Sequence, residues 1–336
     1  MWLFNSSIGR KFVMALTGIC LVLFVTFHVL MNAVAICCPV AYNKVCLALG
    51  ANWYALVASM GLGLLFIVHI IYALVLTVQN RKARGNDRYA VSARPKSVEW
   101  SSQNMLVLGI VVLAFLGVHI VQFWARMQAQ EVMGSLYTYE GVQIPAAAGS
   151  LFLQIAFQSW WTPVVYIIGF AALWFHMNHG FWSMWQSCGW DNQVWLPRWK
   201  KIACWWVTIV IGLFTIQAIV FTVRANQNYY LTDSALMNQY QEMFDEHFEV
   251  ISEPLTSEMK DIQRQAQQLQ NSGDMFTNQI EMQKLNERFM EIRSQLEQMY
   301  AEHNDNITRL MDLANAKETA AAPAEAAAPA LEPTEE

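Results

Sequence analysis

Carboxylates are the scarcest chemistry in the first two thirds of this chain. Residues 1–228 contain five (Asp87, Glu99, Glu131, Glu140 and Asp191) against 14 Lys and Arg. Charge is also scarce overall: 14% of the 336 residues are Asp, Glu, Lys or Arg and 55% are hydrophobic. A typical soluble domain carries roughly 25% charged residues, so a single soluble globule is excluded. Residues 229–336 reverse the sign, with 7 basic and 21 acidic side chains. The formal net charge of −5 therefore describes neither part.

Where charge is missing, hydrocarbon fits. Five stretches are long and apolar enough to span a core about 30 Å thick, which takes about 20 residues of helix. They run from Phe12 to Cys37, Trp53 to Val78, Gln103 to Met127, Trp161 to Trp185 and Ile202 to Val223. Arg10, Lys11 and the Ala33-x-Ala35 triplet give the first a superficial likeness to a signal peptide. Its apolar run is too long for a typical signal sequence. The expected fold class is an all-α membrane protein: a five-helix transmembrane bundle with a C-terminal helical, coiled-coil-like extension.

Basic residues set the expected orientation. With the N-terminus in the cytoplasm, that side receives Arg10, Lys11, Arg81, Lys82, Arg84, Arg88, Arg94, Lys96, Arg198, Lys200 and Lys201. The other side receives Lys44, Arg126 and Arg224. No carboxylate lies within a span, which argues against an ion-coupled pump or transporter.

The ionisable groups inside the spans are histidines: His28 in the first, His69 in the second, His119 in the third, and His176 with His179 in the fourth. A lone membrane histidine is more often a packing residue than a ligand. Four on four successive helices, with no buried acids to pair with, point instead to axial ligation of haem, whose ligands come from facing helices. Depth suggests how they pair. At ~1.5 Å per residue, His28 and His119 lie roughly 26 and 27 Å from the cytoplasmic ends of their helices, and His69 and His176 roughly 18 and 20 Å. That ordering predicts two stacked b haems, an outer one on His28 and His119 and an inner one on His69 and His176.

His179 is expected to be a propionate partner or a simple interface residue. Without Cys-x-x-Cys-His, covalent c-type haem is excluded. Cys20, Cys37, Cys38, Cys46, Cys188 and Cys204 show no metal spacing, and a disulfide or free thiols are both open for Cys37, Cys38 and Cys46. Gly18, Gly61, Gly63, Gly109, Gly117 and Gly180 would admit either a flat macrocycle or a closely packed helix.

The Ser6-Ser7-Ile8-Gly9-Arg10-Lys11 run, one histidine per helix over four helices, and His176-x-x-x-Gly180 ending in Gly189-Trp190 resemble the cytochrome b subunit of succinate:quinone oxidoreductases. The resemblance covers roughly residues 1–226 and is nearest to the five-helix, di-haem anchor of succinate dehydrogenase and fumarate reductase. It implies that His28, His69, His119 and His176 are the axial ligands to haem iron. It also implies a flavoprotein and an iron–sulfur subunit docked on the cytoplasmic face of a bacterial inner membrane. Electrons would pass to or from a quinone, menaquinone or another, with no nucleic-acid partner. Ser6, Ser7 and Arg10 would contact a propionate or the iron–sulfur subunit, or simply start a helix.

Two positions depart from the family pattern. Trp174 stands where some members carry a glutamate, and no acid occurs from Val29 to Asn86. Candidate quinone contacts near the outer haem are Tyr42, Asn43, Gln122 and Glu131. The chain has no flavin fingerprint and no iron–sulfur cysteine cluster, so it would not be catalytic alone. The alternatives are the cytochrome b subunit of a formate dehydrogenase or hydrogenase, and a haem-free scaffold or transporter.

The expected domains are 1–226 in the membrane, 227–317 as the extension, and 318–336 as a disordered Ala/Pro/Glu tail. Met282, Leu285, Phe289, Ile292, Leu296 and Met299 form a seam at spacings of three and four, continued by Ile307 and Leu310. This seam would support self-association through 279–313 or a solvated hairpin. An earlier helix from Asp233 to Ile251 is expected to stop at Pro254, with a turn at Asn271-Ser272-Gly273. A reporter active only outside the cytoplasm should be active when fused after Asn226 and silent after Arg84; the reverse pattern would invert the topology.

Overall fold

A computed structural model describes residues 6–50, 52–84, 99–271 and 275–321. It is an all-α bundle with five helices long and apolar enough to cross a membrane. In chain order these are α1 (Ser7–Cys37), α3 (Trp53–Arg84), α5 (Met105–His119), α8 (Trp161–Ser187) and α9 (Trp195–Asn226). Shorter helices lie between them: α2 (Pro39–Gly50), α4 (Trp100–Gln103), α6 (Gln128–Val132) and α7 (Gly149–Phe157). The Ser6 hydroxyl caps α1 by accepting from the Gly9 N–H at 2.9 Å. Ser6 thus starts a helix, one of the two roles the sequence left open for it.

Helix α8 is the hub, packing against α1, α5 and α9, while α3 leans mainly on α1. Several polar groups inside this apolar bundle are matched within the chain, because hydrocarbon offers no partner. Gln217 donates to the Val29 carbonyl at 2.8 Å, and Arg224 donates to the carbonyls of Ala35 and Ile36, both at 2.9 Å. A cation on the last carbonyls of α1 also suits the negative end of its dipole.

One feature of the outer connection was not anticipated. Tyr137–Tyr139 (β1) and Val142–Ile144 (β2) form an antiparallel hairpin. Both loop residues have positive φ, Glu140 at 49° and Gly141 at 83°, which matches a two-residue primed turn.

The extension comprises α10 (Tyr229–Thr232), α11 (Ser234–Asn271) and α12 (Met275–Ala321). Contrary to expectation, α11 runs straight through Pro254. Val250, whose carbonyl the proline cannot satisfy, is 68% exposed, so water is available to it and the solvent-facing proline is tolerated. The expected turn falls largely on residues 272–274, outside the described residues.

Helices α11 and α12 lie antiparallel, held by Arg288 on Glu258 at 2.7 Å and His303 on Asp245 at 2.9 Å. The seam residues Leu285, Phe289, Ile292 and Leu296 pack on Leu255, Met259 and Ile262 of the same chain. Ile307 and Leu310 join the core of the bundle.

The root of this extension is built into the end of the bundle where α1 and α9 finish. Fully buried Asn43 accepts at Oδ1 from the Ser150 N–H and hydroxyl, both 2.8 Å, and donates to Gln239 at 2.9 Å. Asn306 on α12 exchanges two hydrogen bonds with the backbone of Gln143, at 2.7 and 2.9 Å, covering the edge of β2. Replacing Asn43 by Ala would orphan these buried partners at about 1–3 kcal/mol. The expected outcome is a lower Tm in detergent and easier proteolysis within α11 and α12.

Candidate functional site

The structure brings the four span histidines together in two pairs, His28 with His119 and His69 with His176. Ring centroids are 5.7 Å apart in the first and 6.4 Å in the second, with planes inclined at 82° and 65°. Two imidazoles on opposite sides of one metal ion, each with a bond of about 2 Å, place their ring centres ~6 Å apart. The helices carrying each pair make almost no close backbone contact: α1 with α5, and α3 with α8. Each pair therefore meets between helices that share few close backbone contacts, the position that a group ligated by both rings would take.

The donor set limits what that group could be. Among the described residues, no cluster of three or more His, Cys, Asp or Glu is positioned to hold a metal. A structural zinc site takes four protein ligands and a catalytic one three. Two imidazoles suit an ion whose other ligands come from a macrocycle.

Aromatic rings enclose the outer pair. Phe24 and Phe214 flank His28 at 5.5 and 5.9 Å, and Phe115 and Phe123 flank His119 at 6.1 and 5.2 Å. The glycines divide into two groups. A Cβ on Gly18 would meet the His69 ring at 3.9 Å, and one on Gly109 would meet His176 at 3.7 Å. Gly61, Gly63, Gly117 and Gly180 have nothing within 4 Å, so close helix packing is not what those four provide.

Hydroxyls and amides contact three of the rings. His69 Nδ1 lies 3.0 Å from Thr17 Oγ1, His119 Nδ1 lies 3.0 Å from the Tyr166 phenol oxygen, and His28 Nε2 lies 3.2 Å from Asn32 Nδ2. Sequence reasoning passed over Thr17, Tyr166 and Asn32. Asn32 was within reach as the residue one turn beyond His28. Tyr166 and Thr17 were visible only as polar groups in apolar runs. After His119 the helix widens into a π segment, Ile120–Trp124, closed by Ala125 N–H on Ile120 O at 2.8 Å. Such widenings are frequent at functional sites. This one accompanies the burial of Gln122, which accepts from Tyr166 at 2.9 Å and donates to Thr162 at 3.1 Å.

Comparison with known protein families, curated proteins and solved structures returns no match. The chemistry of the site rests on its own residues.

The four quinone candidates are not equivalent. Asn43 is engaged with Ser150 and Gln239, Gln122 is engaged with Tyr166 and Thr162, and Tyr42 donates to Asn32 Oδ1 at 3.2 Å. Glu131 differs, because its Oε2 is buried and has no hydrogen-bond partner among the described residues. Burial raises its carboxyl pKa above the usual range.

His179 lies 3.9 Å from Glu99, which Lys200 contacts at 2.7 Å, and its ring meets Trp182 edge-on. His179 thus sits where α8 meets Glu99 at the start of α4 and Lys200 of α9. Trp174 donates to Thr208 at 3.0 Å, tying α8 to α9. All six cysteines are free, and Cys46 packs where only Gly149 leaves room for it. A raised carboxylate pKa costs stability above that pKa and ceases to do so once the group is protonated. Glu131→Gln should therefore raise Tm at pH 7, with the gain vanishing towards pH 4; a constant gain would mean burial does not set this group.

Proposed function

We propose that this chain is a di-haem b cytochrome that anchors an oxidoreductase in the membrane and moves electrons between a soluble iron–sulfur subunit and quinone. The observation that carries this reading is the pair of histidine contacts between helices of one bundle that share few close backbone contacts. His28 and His119 would hold the outer group, and His69 and His176 the inner one. A b haem held between two imidazoles supplies one-electron transfer with no coordination position left open to a substrate.

The chain's own residues supply the setting for that chemistry. Phenylalanines keep water from the outer pair, and the absence of carboxylates from the spans leaves the imidazoles neutral and available as ligands. Gly18 and Gly109 keep the approach to the inner pair clear. The root of the extension covers the outer end of the bundle.

Orientation and partner follow from charge and from the resemblance to succinate dehydrogenase and fumarate reductase anchors. The cytoplasmic docking face would carry Arg81, Lys82 and Arg84 with Arg198, Lys200 and Lys201, beside the flavoprotein and iron–sulfur subunits. Arg88, Arg94 and Lys96 belong to the same basic loop but lie outside the described residues. Glu131, with its unpartnered oxygen near the outer surface, is the best-placed of the four quinone candidates.

A reduced-minus-oxidised optical spectrum of the purified chain should show b-type bands, and their absence would overturn the proposal. Ala at His28 or His119 should remove one haem and Ala at His69 or His176 the other. Loss of the same haem in all four variants would refute the pairing. A copurifying flavoprotein with succinate dehydrogenase activity is the expected partner; a formate dehydrogenase or hydrogenase subunit in its place would reassign the complex.

A further inference from the structure

We propose that Thr17 and Tyr166 are positioning residues, each fixing one histidine of its pair with the proton on Nδ1 and the Nε2 lone pair free for a metal. The second histidine of each pair is held differently. The ligand in this inference rests on the di-haem reading, whereas the tautomers rest on hydrogen-bond accounting alone.

A hydroxyl has one hydrogen to give. We assign the Thr17 hydrogen to the carbonyls of Val13 and Met14, each at 3.0 Å, the back-bonding usual for a threonine within a helix. Towards His69 Nδ1 the Thr17 oxygen can then only accept, so that nitrogen carries the proton. Tyr166 donates its hydrogen to Gln122 Oε1 at 2.9 Å, and Gln122 in turn donates to Thr162. The phenol oxygen therefore accepts from His119 Nδ1–H at 3.0 Å. A neutral imidazole protonated at Nδ1 has its lone pair at Nε2, the form that a metal ligand with a hydrogen-bonded second nitrogen adopts.

The partner rings differ. Asn32 Nδ2 donates both to the His28 carbonyl at 2.9 Å and to His28 Nε2 at 3.2 Å. The lone pair on His28 is thus engaged until the amide lets go, and the carbonyl remains to receive it. His176 Nδ1 is buried with no hydrogen-bond partner among the described residues. Each pair therefore joins a ring held at Nδ1 to one held differently, His28 through Nε2 and His176 with Nδ1 unpartnered among the described residues.

The clamps also follow the packing. Thr17 lies on α1, which packs against the α3 of His69, and Tyr166 lies on α8, which packs against the α5 of His119. A packed neighbour orients each fixed ring towards the other helix of its pair.

The test uses the full-length chain in detergent or nanodiscs, labelled with ¹⁵N at histidine, first without haem. In the wild type, His69 and His119 should report a protonated Nδ1. Thr17→Val should change the signal of His69 alone and Tyr166→Phe that of His119 alone, while Thr17→Ser, which keeps a hydroxyl, should restore the first. Titration with haem should then show a ten- to hundredfold weaker inner site in Thr17→Val and outer site in Tyr166→Phe, the range for losing such a partner. An unprotonated Nδ1 on either ring in the wild type would overturn the proposal, as would variants that leave tautomer and affinity unchanged. A wild type that binds no haem would sink the di-haem reading, with the ¹⁵N signals still deciding the positioning assignment.

Discussion

Hydrocarbon gives a polar group nothing to bond to, and most of the polar architecture of this protein follows from that constraint. With no carboxylate in the spans, each polar side chain there must find a hydroxyl, an amide, a carbonyl or a second ring. Gln217 takes the Val29 carbonyl, Arg224 takes the end of α1, and Tyr166 takes Gln122 and His119. These bonds tie α9 to α1, and α8 to α5 and the π segment that follows it. Between α1 and α5, and between α3 and α8, close backbone contacts are few, and there the four paired histidines instead face one another.

The outer end obeys the same rule by other means. The connection between α5 and α8 is a hairpin and a buried helix, and both need partners for their backbone polar groups. Asn43 accepts from the Ser150 N–H and Asn306 from the Gln143 N–H, while Gln154 donates to the Ala225 carbonyl, so that α2 and α9 are tied to α7 and α12 to the hairpin. The extension is therefore part of the lid on the bundle, and its apolar seam is largely covered by its own chain. Acidic side chains are plentiful on α11 and α12, because water surrounds those helices.

Much of the fold was legible because membrane spans are written in long apolar runs. The five helices fall on the five expected stretches, and the two histidine pairs follow from depth along each helix, a quantity fixed by the rise per residue. The hairpin was legible in principle, from the alternation of Tyr137 to Ile144 about Glu140-Gly141. Pro254 misled because a long helix can tolerate a proline where the freed carbonyl meets water, and exposure is not visible in a sequence.

Composition and spacing by themselves determined the membrane class, the five spans, the basic face, the acidic extension and the choice of four histidines, since each is a property of residues counted along one helix. The tertiary structure decided which hydroxyl meets which imidazole, that the histidine pairs meet between helices with few close backbone contacts, and that the extension closes on the bundle. Those outcomes depend on distances between residues far apart in the chain. Thr17 and His69 are 52 residues apart, and Asn43 and Gln239 are 196 apart. Only packing sets such distances, because a helical period specifies the face a side chain occupies and says nothing of what lies opposite.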